Sequence, residues 1–254
     1  MKHFFLYETE LPAGSGFQMF GFCHMTWLAV IAICAVIGSF WYARLETKGK
    51  QKVNHVMGIW FPIISIYRDA VLIVTGHFDT GYLPLHLCGM ALWIAAIYSF
   101  TGNRFLGVVY ILLCLPGAMG ALIFPDWTAY PFFNYMHIHD FVSHGCIVIY
   151  GSMLLWDSRL KIKWRDLWIP MAFGLIGMVV MHFVNGWLHT NYWFLNRPSA
   201  GSPMVKILEI TGEKWYLVGY FLFCTVIVAI WQAVVMMIQR LQAHVSPGHS
   251  KPVY

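Results

Sequence analysis

The chain has 254 residues, 59% of them hydrophobic and 11% charged, with a mean hydropathy of +0.63. A soluble domain carries roughly a quarter charged residues, so this composition excludes a water-solvated globule and makes the bilayer the solvent for most of the surface. The net charge of +5 does not point to nucleic acid, because the basic residues sit in short loops between apolar runs, where they act as orientation signals.

The N-terminal stretch carries Glu8 and Glu10 ahead of the first apolar run, unlike the basic start of a cleaved signal peptide. The first span itself is therefore expected to direct insertion. Seven apolar runs follow, each about 18–25 residues long and so able to cross ~30 Å of hydrocarbon. They lie near 20–43, 56–77, 84–101, 104–124, 136–157, 167–189 and 214–239. In lipid the backbone must satisfy its own hydrogen bonds, which makes these runs helices, and the alternation of a β-barrel is absent. The expected fold is all-α: a polytopic transmembrane helical bundle with seven spans. It forms a single domain over 1–240, followed by a disordered cytoplasmic tail over 241–254.

Orientation follows from Lys and Arg in the loops. Arg44, Lys48, Lys50 and Lys52 fill the first loop, Arg104 the third, and Arg159, Lys161, Lys163 and Arg165 the fifth, and Arg240 opens the tail. Loops 78–83 and 125–135 hold no Lys or Arg, and 190–213 holds only Arg197 and Lys206. This bias predicts the N-terminus outside and the C-terminus inside.

Ionisable groups within spans cost about 2.5–3.5 kcal/mol each on insertion scales, and here they gather toward the outer side. The second span carries Tyr67, Arg68 and Asp69 and ends at His77; the third opens with His86 and Cys88. The fifth opens with His137, His139, Asp140 and His144, and the sixth ends with His182, Asn185 and His189. His137, Asp140 and His144 are spaced i, i+3, i+7 and share one face, and His182, Asn185 and His189 repeat that spacing. Two polar stripes on apolar helices suggest a lined cavity; the plainer alternative is that they bond helix to helix. His139 lies off the stripe and reads as an interface histidine. An aspartate one turn from a histidine can orient the ring. Adjacent residues point to different sides of a helix, so Arg68 is expected to pair with Asp140, or to hold a lipid phosphate, rather than to be neutralised by Asp69 alone. Pro116 and Gly117 suggest a broken fourth span.

The six cysteines show no CxxC spacing, which argues against a disulfide framework or thiolate zinc site, and most read as small apolar fillers. Cys88 is a candidate nucleophile, activated by a histidine from another span such as His144.

Several segments in order resemble a known family. They are Phe17-Gln18-Met19-Phe20 leading to His24, Leu83-Pro84-Leu85-His86-Leu87-Cys88, Pro116-Gly117-Ala118 with Pro125-Asp126, His137 to Gly145, and Thr190-Asn191-Tyr192 with Leu195 and Pro198. Together they resemble the YwaF family of bacterial integral membrane proteins, related to the animal transmembrane protein 164 acyltransferases. The resemblance implies a multi-pass protein of the bacterial cytoplasmic membrane that transfers fatty acyl groups between membrane lipids, through a cysteine thioester and a histidine, without metal or cofactor. His144 matches the histidine. The animal Pro-Cys-His pattern falls on Pro84-Leu85-His86, so Leu85 stands where the thiol is expected and Cys88 lies three residues further on. Either Cys88 substitutes, or a histidine carries the acyl group or acts as base.

The expected function is therefore a lipid acyltransferase or acyl hydrolase at the outer leaflet. His144 and Asp140 serve as base and orienting group, Cys88 or His86 as nucleophile, and Arg68, His137, His182 and Asn185 bind substrate. Three rivals make different demands. A seven-span metal hydrolase of the ceramidase-like type needs about three protein ligands, yet the last run lacks the histidine pair of that superfamily. A haem protein needs two facing histidines such as His144 and His182. An anion transporter suits a broken fourth span beside Arg68.

Overall fold

In a computed structural model, which describes residues 3–157 and 159–245, the chain forms seven principal helices and no strand among the described residues. They are α1 (Phe22–Arg44), α2 (Thr47–Thr75), α3 (Leu87–Thr101), α4 (Arg104–Ile123), α5 (Tyr135–Leu154), α6 (Trp168–Leu188) and α7 (Pro203–Val245). Each contains one of the expected apolar runs or most of it. Five helices, α1, α2, α4, α6 with its leading turn and α7, are long and apolar enough to cross a membrane. The other two, α3 with 15 residues and α5 with its polar opening, complete the bundle. Helix α7 begins earlier than its apolar run, bends at Gly212 (φ +70°) and continues to Val245. It thus enters the expected tail 241–254, whose residues from 246 onward lie outside the described part.

Helix α4 is the centre of the bundle: 56% of its apolar window is buried, against 17–28% for the other four long helices. It is not broken at Pro116, as the sequence suggested. A π-helical stretch, Tyr110–Cys114, precedes the proline. Its i→i+5 pattern, seen where the Leu115 N–H donates to the Tyr110 carbonyl, shifts the ladder so that the missing proline N–H disrupts less. The nearby Ile111 carbonyl accepts the Trp231 indole N–H of α7 at 2.8 Å, so the widened turn is also where α7 attaches.

Around α4, α1 lies along α5 and α2 along α3. The α1–α5 approach is close at Gly145, where a Cβ would stand 3.1 Å from the Ile31 side chain of α1. Nearby, Trp27 of α1 stacks on Phe141 of α5 at 5.1 Å. At the basic end of the bundle, Arg104 pairs with Asp166 (2.7 Å) and Arg159 with Asp157 (2.5 Å). The opposite end is covered by the N-terminal segment. Tyr135 N–H donates to the Phe4 carbonyl (2.7 Å), and the Asn134 amide donates to the carbonyls of His3 and Leu6. The Tyr82 hydroxyl donates to that of Tyr7 (2.8 Å), and His77 lies 3.1 Å from the Glu10 carboxylate.

Candidate functional site

The helical hairpins return the chain to this covered end at each polar segment. Arg68 lies two turns before the end of α2, and His86 is the N-cap of α3 with Cys88 just inside it. Asp126 and Trp127 follow the end of α4, and His139, Asp140 and His144 occupy the first three turns of α5. Four successive parts of the chain thus bring these side chains to one end of the bundle.

Cys88, His139 and Asp140 are half-buried and Asp126 is exposed. Placing such side chains at an accessible end of the bundle, rather than deep among apolar helices, is what keeps the cost of ionisable groups in a membrane protein low.

His144 is the most strongly oriented member. Its Nδ1 lies 2.7 Å from the main-chain carbonyl of Asp140. A carbonyl only accepts, so Nδ1 carries the proton and Nε2 is left as the free base. The Asp140 backbone, one helical turn earlier, thus does the orienting expected of its carboxylate. The ring is only 6% exposed and stacks on Trp127 at 5.0 Å and 19°. Among the described residues, the buried Trp127 indole N–H has no hydrogen-bond partner, and neither has the Tyr135 hydroxyl. Buried donors of this kind are normally satisfied. Asp126 lies in the loop, exposed, next to Trp127.

Arg68 departs from the expectation. Its Nε and Nη2 both donate to Oδ1 of Asp69, at 2.9 and 2.7 Å, and Nη2 also donates to the Tyr82 carbonyl. The long side chain curls back along the helix surface, so adjacency in sequence did not prevent pairing. Its Nη1 makes no hydrogen bond among the described residues. Cys88 and the histidines are also less intimate than a dyad: among the described residues no hydrogen bond joins Cys88 to His144 or His86. The His86 ring instead rests against Tyr192 (5.0 Å) and Phe194 (5.6 Å).

Three of the expected substrate-binding residues serve elsewhere. His137 is fully buried among aromatic rings: the Trp27 indole donates to its Nε2 at 2.9 Å, and its Nδ1 donates to the Tyr130 carbonyl at 3.2 Å. Both ring nitrogens are used, binding α5 to α1 and to the 124–134 loop. Asn185 is a knot within its own segment. It donates to the Tyr192 carbonyl (3.0 Å) and accepts from Tyr192 N–H (2.7 Å) and the Thr190 hydroxyl (2.9 Å). His182 is exposed on the flank of α6, so it does not face the buried His144 across a cleft as a haem pair would. The second stripe therefore lines no cavity.

Sequence reasoning passed over His139, Asp126 and Trp127. His139 is off the periodic stripe, and the other two sit in a loop, where periodicity gives no signal; the only hint was Pro125-Asp126 within the family resemblance. His24, quoted in that resemblance, is structural. Phe20 N–H donates to its Nδ1 (2.9 Å), and its Nε2 donates to the Leu122 carbonyl (2.7 Å), clamping α1 to the end of α4. All six cysteines are free. No three His, Cys, Asp or Glu side chains among the described residues come together as a metal-binding set.

The family model described as the TMEM164 family matches residues 19–232, and the chain belongs to that family. No curated protein and no solved structure matches it.

Proposed function

We propose, from membership of the TMEM164 family and the chemistry of the polar residues around His144, that this protein is an integral-membrane lipid acyltransferase. We further read it as a seven-span member of the bacterial YwaF branch in the cytoplasmic membrane, with its N-terminus and polar site on the outer side. The Lys and Arg of the loops at the opposite end support that orientation. The observation that carries the functional reading is His144: a buried imidazole held by its Nδ1 proton, with Nε2 free of hydrogen bonds among the described residues, at the end of the bundle that also carries His86, Cys88 and Asp140.

In this reading the Cys88 thiol gives its proton to His144 Nε2 and the sulfur attacks the ester carbonyl of a donor phospholipid. The ester C–O bond breaks, the departing lysolipid oxygen takes the proton back from His144, and the acyl group remains as a thioester. An acceptor lipid hydroxyl then loses its proton to His144 and attacks the thioester, and the restored thiol recovers that proton. The net change is one ester moved from donor to acceptor, with no redox step. Thiol and imidazole are not hydrogen-bonded in this geometry, so the step requires the Cys88 side chain to rotate toward His144 as substrate enters; catalytic hydrogen bonds often tighten only in the loaded site. The free Nη1 of Arg68 is suited to the lipid phosphate.

Purified protein in proteoliposomes with isotope-labelled donor phospholipid tests this by mass spectrometry of lipid products and of the Cys88 peptide. General-base catalysis is worth about 10²–10⁴-fold, so His144→Ala is expected to slow transfer at least a hundredfold while Cys88→Ala removes the thioester. Product profiles for His144→Ala indistinguishable from wild type refute the proposal.

A further inference from the structure

An apolar recess lies on the flank of the bundle, one turn along α3 from His86. It has a volume of about 360 Å³ and is walled by Met90 of α3, Phe105 of α4, Phe173, Gly177 and Met181 of α6, and Trp193. Its lip is formed by Ile176 and Val180, 64% and 47% exposed, on helices apolar enough to sit in lipid.

The local backbone is bent to build this wall. Trp193 and Phe194 both adopt left-handed φ, +58° and +56°, a conformation rare for bulky residues and found preferentially at functional sites. The bend sends the two side chains apart: Trp193 onto α6 and Phe194 against the His86 ring. The indole is pinned by its N–H to the Leu85 carbonyl at 2.8 Å, one residue before His86. It lies so close to α6 that a Cβ at position 177 would come within 2.3 Å of it. One strained turn thus fixes both the wall of the recess and the edge of the polar site.

We infer that this recess is the binding slot for a single fatty acyl chain of a membrane phospholipid, delivering the chain's ester end toward His86 and Cys88. The recess is continuous with the lipid-facing surface, is apolar on every side and falls at the small end of the range for small-ligand sites. The inference rests on the acyltransferase reading only for the direction of delivery.

The test uses the full-length protein in proteoliposomes of phosphatidylcholine bearing a photoreactive group in one acyl chain, with labelled peptides mapped by mass spectrometry. Labelling is expected to concentrate on peptides carrying Met90, Phe173 and Met181. It should fall about tenfold in Gly177→Leu and stay at wild-type level in Gly186→Leu, since position 186 of the same helix is open. If Gly177→Leu fails to fold, Met181→Trp, which narrows the slot one turn further along α6, replaces it with the same expectation. Labelling spread evenly over the lipid-facing residues of all helices, or unchanged by both slot variants, overturns the slot. Concentrated labelling without acyl transfer keeps the slot and removes the enzyme reading; transfer with even labelling does the reverse.

Discussion

Replacing Asn185 by Ala should destabilise the protein far more than replacing His182 by Ala, although sequence pattern puts the two on the same stripe. Asn185 is 2% exposed and holds both main-chain groups of Tyr192, itself fully buried. Truncation leaves that N–H and carbonyl unpaired where water does not reach. Each buried orphan costs about 1–3 kcal/mol, so the ceiling is roughly 6 and, with some relaxation of the turn, about 3 kcal/mol is expected. At about 2–4 °C per kcal/mol for a chain of this length, the midpoint of thermal unfolding should drop by roughly 6–12 °C. His182 faces outward, and its removal should stay within about 0.5 kcal/mol. Thermal unfolding in detergent, followed with a thiol-reactive dye, reads this directly, because Cys114 is only 1% exposed in the folded core. A shift under 2 °C for Asn185→Ala, or equal shifts for the two variants, would refute the reasoning.

Other outcomes follow from the same contacts. His137→Ala orphans the Trp27 indole N–H and the Tyr130 carbonyl and is expected to cost about 2–4 kcal/mol, while acyl transfer per folded molecule stays near wild type; a selective loss of turnover would show that His137 touches substrate. Gly145→Leu drives α5 against Ile31 and should destabilise by about 1–3 kcal/mol, measurable in the same dye assay. The N-terminal cover should loosen in acid. The Tyr7 main-chain N–H, aided by His77 and slightly opposed by desolvation, holds the Glu10 carboxyl below its ordinary value. A depressed carboxylate stabilises above its unfolded-state pKa, and that contribution disappears as pH falls through the lower folded-state value. Hydrogen exchange, corrected for its intrinsic pH dependence, should therefore lose protection at residues 3–11 below about pH 4 and leave α5 protected; protection unchanged down to pH 2 would count against the latch.

The contrast between His137 and His144 shows how far periodicity reaches. Their spacing does put them on one face of α5, but seven residues separate them by roughly 10 Å along the axis. At that separation they meet different neighbours: Trp27 and Tyr130 for one, Trp127 and the Asp140 carbonyl for the other. A shared face is a statement about angle, not about depth or about what the neighbouring elements present. Arg68 is a second instance, because a flexible side chain curls back to Asp69 and helix angles do not constrain its far end.

By itself the amino-acid sequence determined the solvent, the all-helical class and the approximate extents of the helices, because hydrocarbon leaves a backbone few other ways to satisfy its hydrogen bonds. It also determined that the costly ionisable residues gather at one end, since their positions relative to the apolar runs are a matter of counting. Only tertiary structure decided that His137 is tied to Trp27 while His144 meets Trp127 from a loop, that a π turn carries α4 through Pro116, and that a left-handed aromatic pair walls an apolar slot. Those outcomes depend on contacts between residues far apart in the chain, whose geometry is fixed only when the helices have packed.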